Sequence, residues 1–433
     1  MTKIALISEH ASPLALVGGV DAGGQNIYVA QISKHLAQRG FLVDVFTRRD
    51  NARLPTIIPF SHNVRVVHVP AGPPCILPKE QLLPYMDAFG DSLLDFFQQE
   101  EIGYDAMHAN FFMSGAAALR VKAALGIPLV TTFHALGRVR RLHQGTDDAF
   151  PDERFAIEDA LVRKSDCVIA ECPQDHADLV ELYGADAAHI EIVPCGFDAL
   201  EFSPLERSIA RDRLGWPHGE FAVLQLGRLV PRKGIDNVIR AMRLVPSIDG
   251  ATARLYVVGG NSELPDPHST PEIARLQQVA HAACVADRVT FVGRRDREVL
   301  HLFYSAANVF VSTPWYEPFG ITPVEAMACG TPVIGAAVGG IRTTVQDGKT
   351  GFLVPPNDPA ALADRLIFLQ RSPSTARIMG LAGRRRAKRC YTWAGVAARL
   401  ASIYERLAPA TTAHAVRIET PFSAQPTERR IAA

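Results

Sequence analysis

The 433-residue chain is 48% hydrophobic and balances 45 lysines and arginines against 45 aspartates and glutamates. That length and apolar share support two ordinary domains with large cores. The zero net charge removes any global electrostatic case for nucleic acid or an acidic membrane surface, so phosphate recognition has to be local.

The N-terminal apolar run is too short for a secretory signal, and no uninterrupted span of about 18 apolar residues occurs, so the expectation is a cytoplasmic protein without a transmembrane segment. The first strand reads from Ile4 to Ile7 and is followed by Gly18-Gly19-Val20-Asp21-Ala22-Gly23-Gly24-Gln25-Asn26, then a helical pattern to Gln38. This loop lacks the Lys-Ser/Thr of a phosphate-binding Walker loop and the three-glycine spacing of a dinucleotide site, which removes the main support for an ATPase or an NAD enzyme. Gly23 and Gly24 let the backbone approach a ligand closely; they also fit a simple flexible turn.

Strand-like and helical runs then alternate: Phe41 to Phe46, Val64 to Val69, Ala106 to His108, the helix-like Gly115 to Leu125, Leu129 to Phe133, Phe155 to Val162, Cys167 to Ala170 and Ile190 to Val193. This rhythm predicts a parallel sheet covered by helices. The stretch from Pro194 to Pro204 reads as a linker, after which a second sheet is predicted from Phe221 to Leu226, Leu255 to Val258, Val289 to Val292, Val309 to Ser312, Val333-Ile334 and Phe352 to Val354. Beyond Pro409 large apolar residues are few and a flexible tail is expected over 409–433. The seven cysteines, an odd number, have neither metal-ligand nor redox spacing and are expected to be free thiols, with no metal site.

Two segments of the second half carry chemistry. After Leu226 comes Gly227-Arg228-Leu229-Val230-Pro231-Arg232-Lys233-Gly234 and a helical pattern from Ile235. A strand, a basic loop and a helix N-terminus suit a diphosphate, with Arg228 offering a two-pronged guanidinium and Lys233 a point charge. A solvated basic loop is the ordinary alternative. After the strand Val309-Phe310-Val311, Glu317 and Glu325 bracket Pro-Phe-Gly-Ile-Thr-Pro-Val at the C-terminal end, where open α/β sheets bind ligands. Carboxylates here suit sugar hydroxyls, and the amides near Phe319 and Gly320 suit phosphate. Thr322-Pro323-Val324-Glu325 also reads as a capping box with proline at the first helical position, which would make Glu325 structural.

Taken together, these motifs in this order resemble the retaining glycosyltransferases of the GT-B fold, the group 1 family that includes sucrose-phosphate synthase and the inositol-phosphate glycosyltransferase of mycothiol synthesis, over residues 3 to 408. The resemblance implies an α/β protein with two Rossmann-like doubly wound domains facing each other across a cleft. The acceptor domain would span 1–200 with a returning helix in 391–408, and the nucleotide-sugar domain 205–390. It implies a hexosyltransferase that needs no cofactor, takes a nucleotide diphosphate sugar with a UDP-sugar favoured, and transfers to a small hydroxylated acceptor that is phosphorylated or not.

By that resemblance Gly23 and Gly24 lie against the donor phosphates and the acceptor, Arg228 and Lys233 hold the diphosphate, and Arg295 joins the donor set. Glu317 contacts the transferred sugar together with Phe319, Gly320 and Ile321, while Glu325 grips the ribose. His134, otherwise an ordinary loop histidine, is implied to sit between donor sugar and acceptor. His10, Asp21, Asn26, Lys79 and Arg154 match acceptor-contacting positions. Phe111 and Ala135 replace a tyrosine and a threonine there, removing two hydroxyls, and Arg138, Arg140 and Arg141 are an alternative source of charge or a solvated surface. The implied mechanism retains configuration, with the leaving diphosphate taking the acceptor proton and no protein nucleophile. A sucrose-phosphate or sucrose-synthase-like enzyme with a fructose-type acceptor, a nucleotide-sugar epimerase, and a non-catalytic nucleotide-sugar-binding protein remain alternatives. Both substrates are small molecules, and a homodimer is left open.

Overall fold

The computed structural model describes residues 2–15 and 23–408. The first sheet has eight strands: β1 Lys3–Ile7, β2 Leu42–Arg48, β3 Ile57–Ser61, β4 Val64–Val69, β5 Ala106–Asn110, β6 Leu129–Thr132, β7 Cys167–Ala170 and β8 Ile190–Ile192. Their spatial order is β3-β4-β2-β1-β5-β6-β7-β8. All neighbours are parallel except β3, which runs antiparallel to β4 at the edge. The second sheet, wholly parallel, holds β9 Phe221–Leu226, β10 Ala253–Val258, β11 Val289–Gly293, β12 Val309–Ser312, β13 Val333–Ala336 and β14 Gly351–Val354 in the order β11-β10-β9-β12-β13-β14.

The chemistry of the strands explains the arrangement. Every residue of β1, β5 and β9 is buried, as strands covered by helices on both faces require, and such strands read as apolar runs rather than alternating ones. The edge strand β3 contains Pro59 and is mostly half-exposed; proline lacks the N–H of an interior ladder and is tolerated at an edge.

Both sheets reverse their order of winding at one point. In the first the switch lies between β1 and β5, and in the second between β9 and β12. Loops leaving the C-terminal ends of two such strands diverge and open a crevice. The residues after β1 and β5, and those after β9 and β12, are therefore placed to form a site.

The stretch from Pro194 to Pro204 connects the halves, and its backbone is pinned. Phe197 N–H donates to the Tyr391 carbonyl at 2.8 Å, and Trp393 N–H donates to the Phe197 carbonyl at 3.3 Å. The outgoing and returning crossings thus pair side by side. Phe197, Phe202 and Trp393 are each about fully buried, and one apolar core runs from Ile4 and Tyr28 through Trp393 to Leu224 and Phe310, joining both halves. The returning helix Trp393–Leu407, capped by Thr392, packs on the helix Gly24–Gln38. Its Tyr404 hydroxyl sits 2.6 Å from His108 Nδ1 in β5. Several boundaries move by one to three residues: the helix expected from Gly115 begins at Phe112, Phe133 falls outside β6, and β2 runs from Leu42 to Arg48 where Phe41 to Phe46 was expected. Residues 409–433, expected as a flexible tail, lie outside the described residues.

Candidate active site

A cavity of about 620 Å³ separates the two sheets where both switch points open. Its second-half wall is built by two loops. The basic loop after β9 closes with a 3₁₀ turn, Pro231–Lys233, and Gly234 at φ +64. A Cβ on Gly234 would lie 2.0 Å from the Thr313 carbonyl oxygen, so only glycine lets this loop press against the one after β12. That close approach brings Lys233 to Glu317.

Lys233 Nζ and Glu317 Oε2 form a short ion pair, and Arg232 Nη1 stands 3.9 Å from the same oxygen. Burial pushes the Lys233 ammonium down to about 8, partly opposed by Glu317. Burial alone would raise the Glu317 carboxyl, but Lys233, Arg232 and Arg228 hold it below the usual carboxylate range. Arg228 faces Gly23 across the cleft: a Cβ on Gly23 would come 3.3 Å from Arg228 Nε, and one on Gly24 3.6 Å from Ile321 Cδ1. The sequence-predicted Gly23, Gly24, Arg228, Lys233, Arg295, Glu317, Phe319, Gly320, Ile321 and Glu325 all line this one cavity. Arg295 Nη1 donates to the Glu263 and Arg294 carbonyls at 2.6 and 2.7 Å, which fixes its place on the rim.

The capping-box reading of Glu325 is corrected. The helix Ile321–Ala328 starts a residue earlier than Thr322, behind Gly320 at φ +88, with no side-chain cap. Glu325 turns into the protein, where the Tyr304 hydroxyl donates to its Oε2 at 2.9 Å and Arg297 Nη1 lies 2.9 Å from its Oε1.

The first-half wall comes from the ends of β1, β5, β6 and β7. His134 follows β6 at φ +56 and Phe111 follows β5 at φ +87, two side chains in a backbone region that costs of order 1–3 kcal/mol each. The His134 ring is held from both sides, with Nδ1 3.0 Å from Glu171 Oε1 and Nε2 3.0 Å from Asn110 Oδ1. Tyr28 packs edge-on at 4.8 Å between ring centroids. His10 Nδ1 lies 2.6 Å from Glu9 Oε1 and packs on Phe111 at 5.0 Å. Lys79, whose Nζ is 3.3 Å from Glu80, and Ala135 complete this side.

Two acceptor expectations meet different surroundings. The Asn26 amide spends both ends on backbone, accepting from Gly23 N–H at 2.9 Å and donating to the Ser12 carbonyl at 3.0 Å, so it shapes the loop while touching the cavity. Arg154 is not in the cavity wall: it is buried, paired with Glu158 at 2.7 Å and stacked against Phe111, Phe112 and Phe150. Asp21 lies outside the described residues. Arg138, Arg140 and Arg141 each pair with an aspartate, respectively Asp159, Asp148 and Asp152, and only Arg140 reaches the cavity.

Four contributors escaped the sequence reading. Tyr316 bridges the cleft, stacking on His143 at 5.1 Å and accepting from Gln144 Nε2 at 2.5 Å, with Arg232 on the ring at 5.2 Å. Glu171 and Asn110 orient His134, and Arg297 pairs with Glu325. The Tyr316 aromatic beside Glu317 was a readable signal; the partners of His134 lie on other strands and leave none. Among the described residues no group of three or more histidines, cysteines, aspartates or glutamates is placed to hold a metal ion, and no helix is long and apolar enough to cross a membrane.

Comparison with known proteins gives the same picture at the level of family. The family described as Glycosyl transferases group 1 matches residues 206–386, and that described as Glycosyltransferase Family 4 matches residues 22–199. A D-inositol 3-phosphate glycosyltransferase of Xylanimonas cellulosilytica is 36% identical over 411 residues, covering 93% of this chain and 96% of its own. One from Acidothermus cellulolyticus is 38% identical, covering 83% and 81%. Among solved structures, sucrose-phosphate synthase from Thermosynechococcus elongatus superposes with a TM-score of 0.86 at 36% identity, over 94% of this chain and 99% of that one. Anabaena HepE, solved with UDP and glucose, shares the fold at a TM-score of 0.73 and 21% identity, over 94% and 100%.

Proposed function

The chain belongs to the group 1 glycosyltransferases, and on that premise we propose that it is a retaining hexosyltransferase that uses a UDP-sugar and a small polyhydroxylated acceptor. The observation that carries this reading is the Lys233–Glu317 ion pair, set beside Arg228 and opposite His134 in one cavity. A leaving nucleoside diphosphate gains negative charge as the glycosidic bond breaks. Arg228 and Lys233, half-buried in the cleft wall, stabilise that charge more strongly than they would in bulk solvent.

Glu317, released from Lys233 by the incoming diphosphate, turns to the hydroxyls of the transferred sugar beside the amides of Phe319, Gly320 and Ile321. The acceptor enters on the His10, Phe111 and Lys79 side, with His134 between the two substrates. The leaving diphosphate oxygen takes the acceptor proton, so catalysis consists of positioning and charge stabilisation. Phe111 presents a ring where a hydroxyl would favour a phosphate, and the cavity-lining Arg140 is already paired with Asp148. An inositol phosphate, a fructose phosphate and their unphosphorylated forms are therefore the acceptors to compare.

The test measures nucleoside diphosphate release from UDP-, GDP- and ADP-sugars with each acceptor, followed by proton NMR of the product's anomeric centre. Release that requires one donor and one acceptor, with the donor's anomeric configuration kept in the product, is the expected result. An inverted product contradicts the retaining mechanism, and nucleotide binding without release from any pair contradicts transfer to this acceptor class.

A further inference from the structure

The geometry points to Arg297 as a residue that reads the ribose of the donor, working as a unit with Glu325. This inference rests on the proposed placement of the ribose at Glu325. Arg297 reaches three groups from the 3₁₀ turn Arg297–Val299 after β11. Its Nε donates to Glu201 Oε2 at 2.5 Å, its Nη1 lies 2.9 Å from Glu325 Oε1, and its guanidinium rests on the Phe202 ring at 4.7 Å.

The remaining atoms are the informative ones. Arg297 Nη2 is covered and has no hydrogen-bond partner, and Glu325 Oε1, although close to Nη1, receives no aligned hydrogen bond. A cationic donor without a partner thus stands beside a carboxylate oxygen held by an ion pair alone, on adjoining side chains of the cavity wall. Leaving such groups unmade is costly, and together they are the hydrogen-bonding complement of a vicinal diol. One hydroxyl donates to Glu325 Oε1, and the same diol accepts from Arg297 Nη2.

Both atoms are covered in this structure, so a ribose reaches them as the ion pair opens. Glu201 gives Arg297 an anchor that does not depend on Glu325. Glu201 belongs to the crossing between the sheets and also accepts from Gln31 Nε2 at 3.4 Å. Gln31 lies on the helix that begins at the Gly23–Gly24 loop. The anchor therefore ties ribose recognition to the segment that joins the two halves.

The experiment measures binding of UDP and of 2′,3′-dideoxy-UDP to the native full-length protein and to Arg297→Met, with thermal melts recorded alongside. Hydrogen bonds to charged groups predict that the native protein prefers UDP by about 10- to 100-fold. In Arg297→Met the preference should shrink to within about threefold. A residue that merely supports the fold would weaken both ligands equally, so an undiminished preference in Arg297→Met overturns the inference. Native protein that binds the two nucleotides equally would instead overturn the ribose placement, and the inference with it. Should Arg297→Met not fold, Arg297→Lys serves. Its single ammonium cannot span Glu201 and Glu325 together, so a preference intermediate between the two is expected, and a native preference overturns the proposal.

Discussion

Lys233 holds the most consequential charge of the site, because it is half-buried against Glu317 with its ammonium pushed down to about 8. An alkaline limb follows. The free enzyme loses this cation as pH rises through about 8, so donor kcat/KM should fall there, while kcat, which reports the complex, should hold to higher pH because a bound diphosphate raises the ammonium again. Glu317→Gln removes the anion that props up the Lys233 proton, and the kcat/KM limb should move to lower pH. A limb that stays put in Glu317→Gln would detach this titration from Lys233. At this scale the sequence was informative wherever a side chain and its neighbours in the chain act together, as in Arg228 to Gly234 and Glu317 to Glu325. It was silent where partners come from other strands: nothing local announces that Glu325 faces Arg297 and Tyr304, that Asn110 and Glu171 hold His134, or that Arg154 is walled in by three phenylalanine rings.

At the scale of elements, the returning helix Trp393–Leu407 is locked to β5 by the Tyr404 hydroxyl on His108, whose other ring nitrogen lies 2.8 Å from Thr132 Oγ1. Complete burial, with His134 nearby as a lesser cause, lowers the His108 imidazole to about 3. Its folded value therefore lies below its unfolded value of about 6.5. Between these limits only the unfolded chain takes up the proton, so stability from this group is full above pH 6.5 and falls as pH drops towards 3. The loss should be roughly 1.4 kcal/mol per pH unit at its steepest. Denaturant unfolding of native protein and of His108→Gln across that window checks this: the native curve should be steeper by that amount, and parallel curves would remove His108 from the acid response. The parallel strands were legible because apolar runs buried on both faces leave a plain pattern, whereas β3 was not, since Pro59 and an edge position erase it. The cap of the helix Ile321–Ala328 was read at Thr322 and lies two residues earlier, at Gly320, because Thr322-Pro323-Val324-Glu325 satisfies the local rule for a cap while tertiary pairing draws Glu325 inward.

Across the whole molecule, two sheets of the same construction turn their switch points towards each other, and the site exists only because both contribute. The βαβ rhythm in the sequence was enough to predict two such sheets. Their juxtaposition was not legible in the same way, because it depends on the paired crossings at Phe197 and Tyr391–Trp393 and on Tyr316 reaching over to His143 and Gln144. These are contacts between residues far apart in the chain. The central claim, that the charges on the second-half wall drive transfer to an acceptor bound on the first, is tested most directly by one assay. Acceptor-dependent release of nucleoside diphosphate is measured side by side for the native protein and for Lys233→Ala, with melting curves confirming that both are folded. Release should require the acceptor in the native protein and fall on the order of 10²-fold or more in the variant. A folded Lys233→Ala with a near-native rate, or native release indifferent to the acceptor, would contradict it.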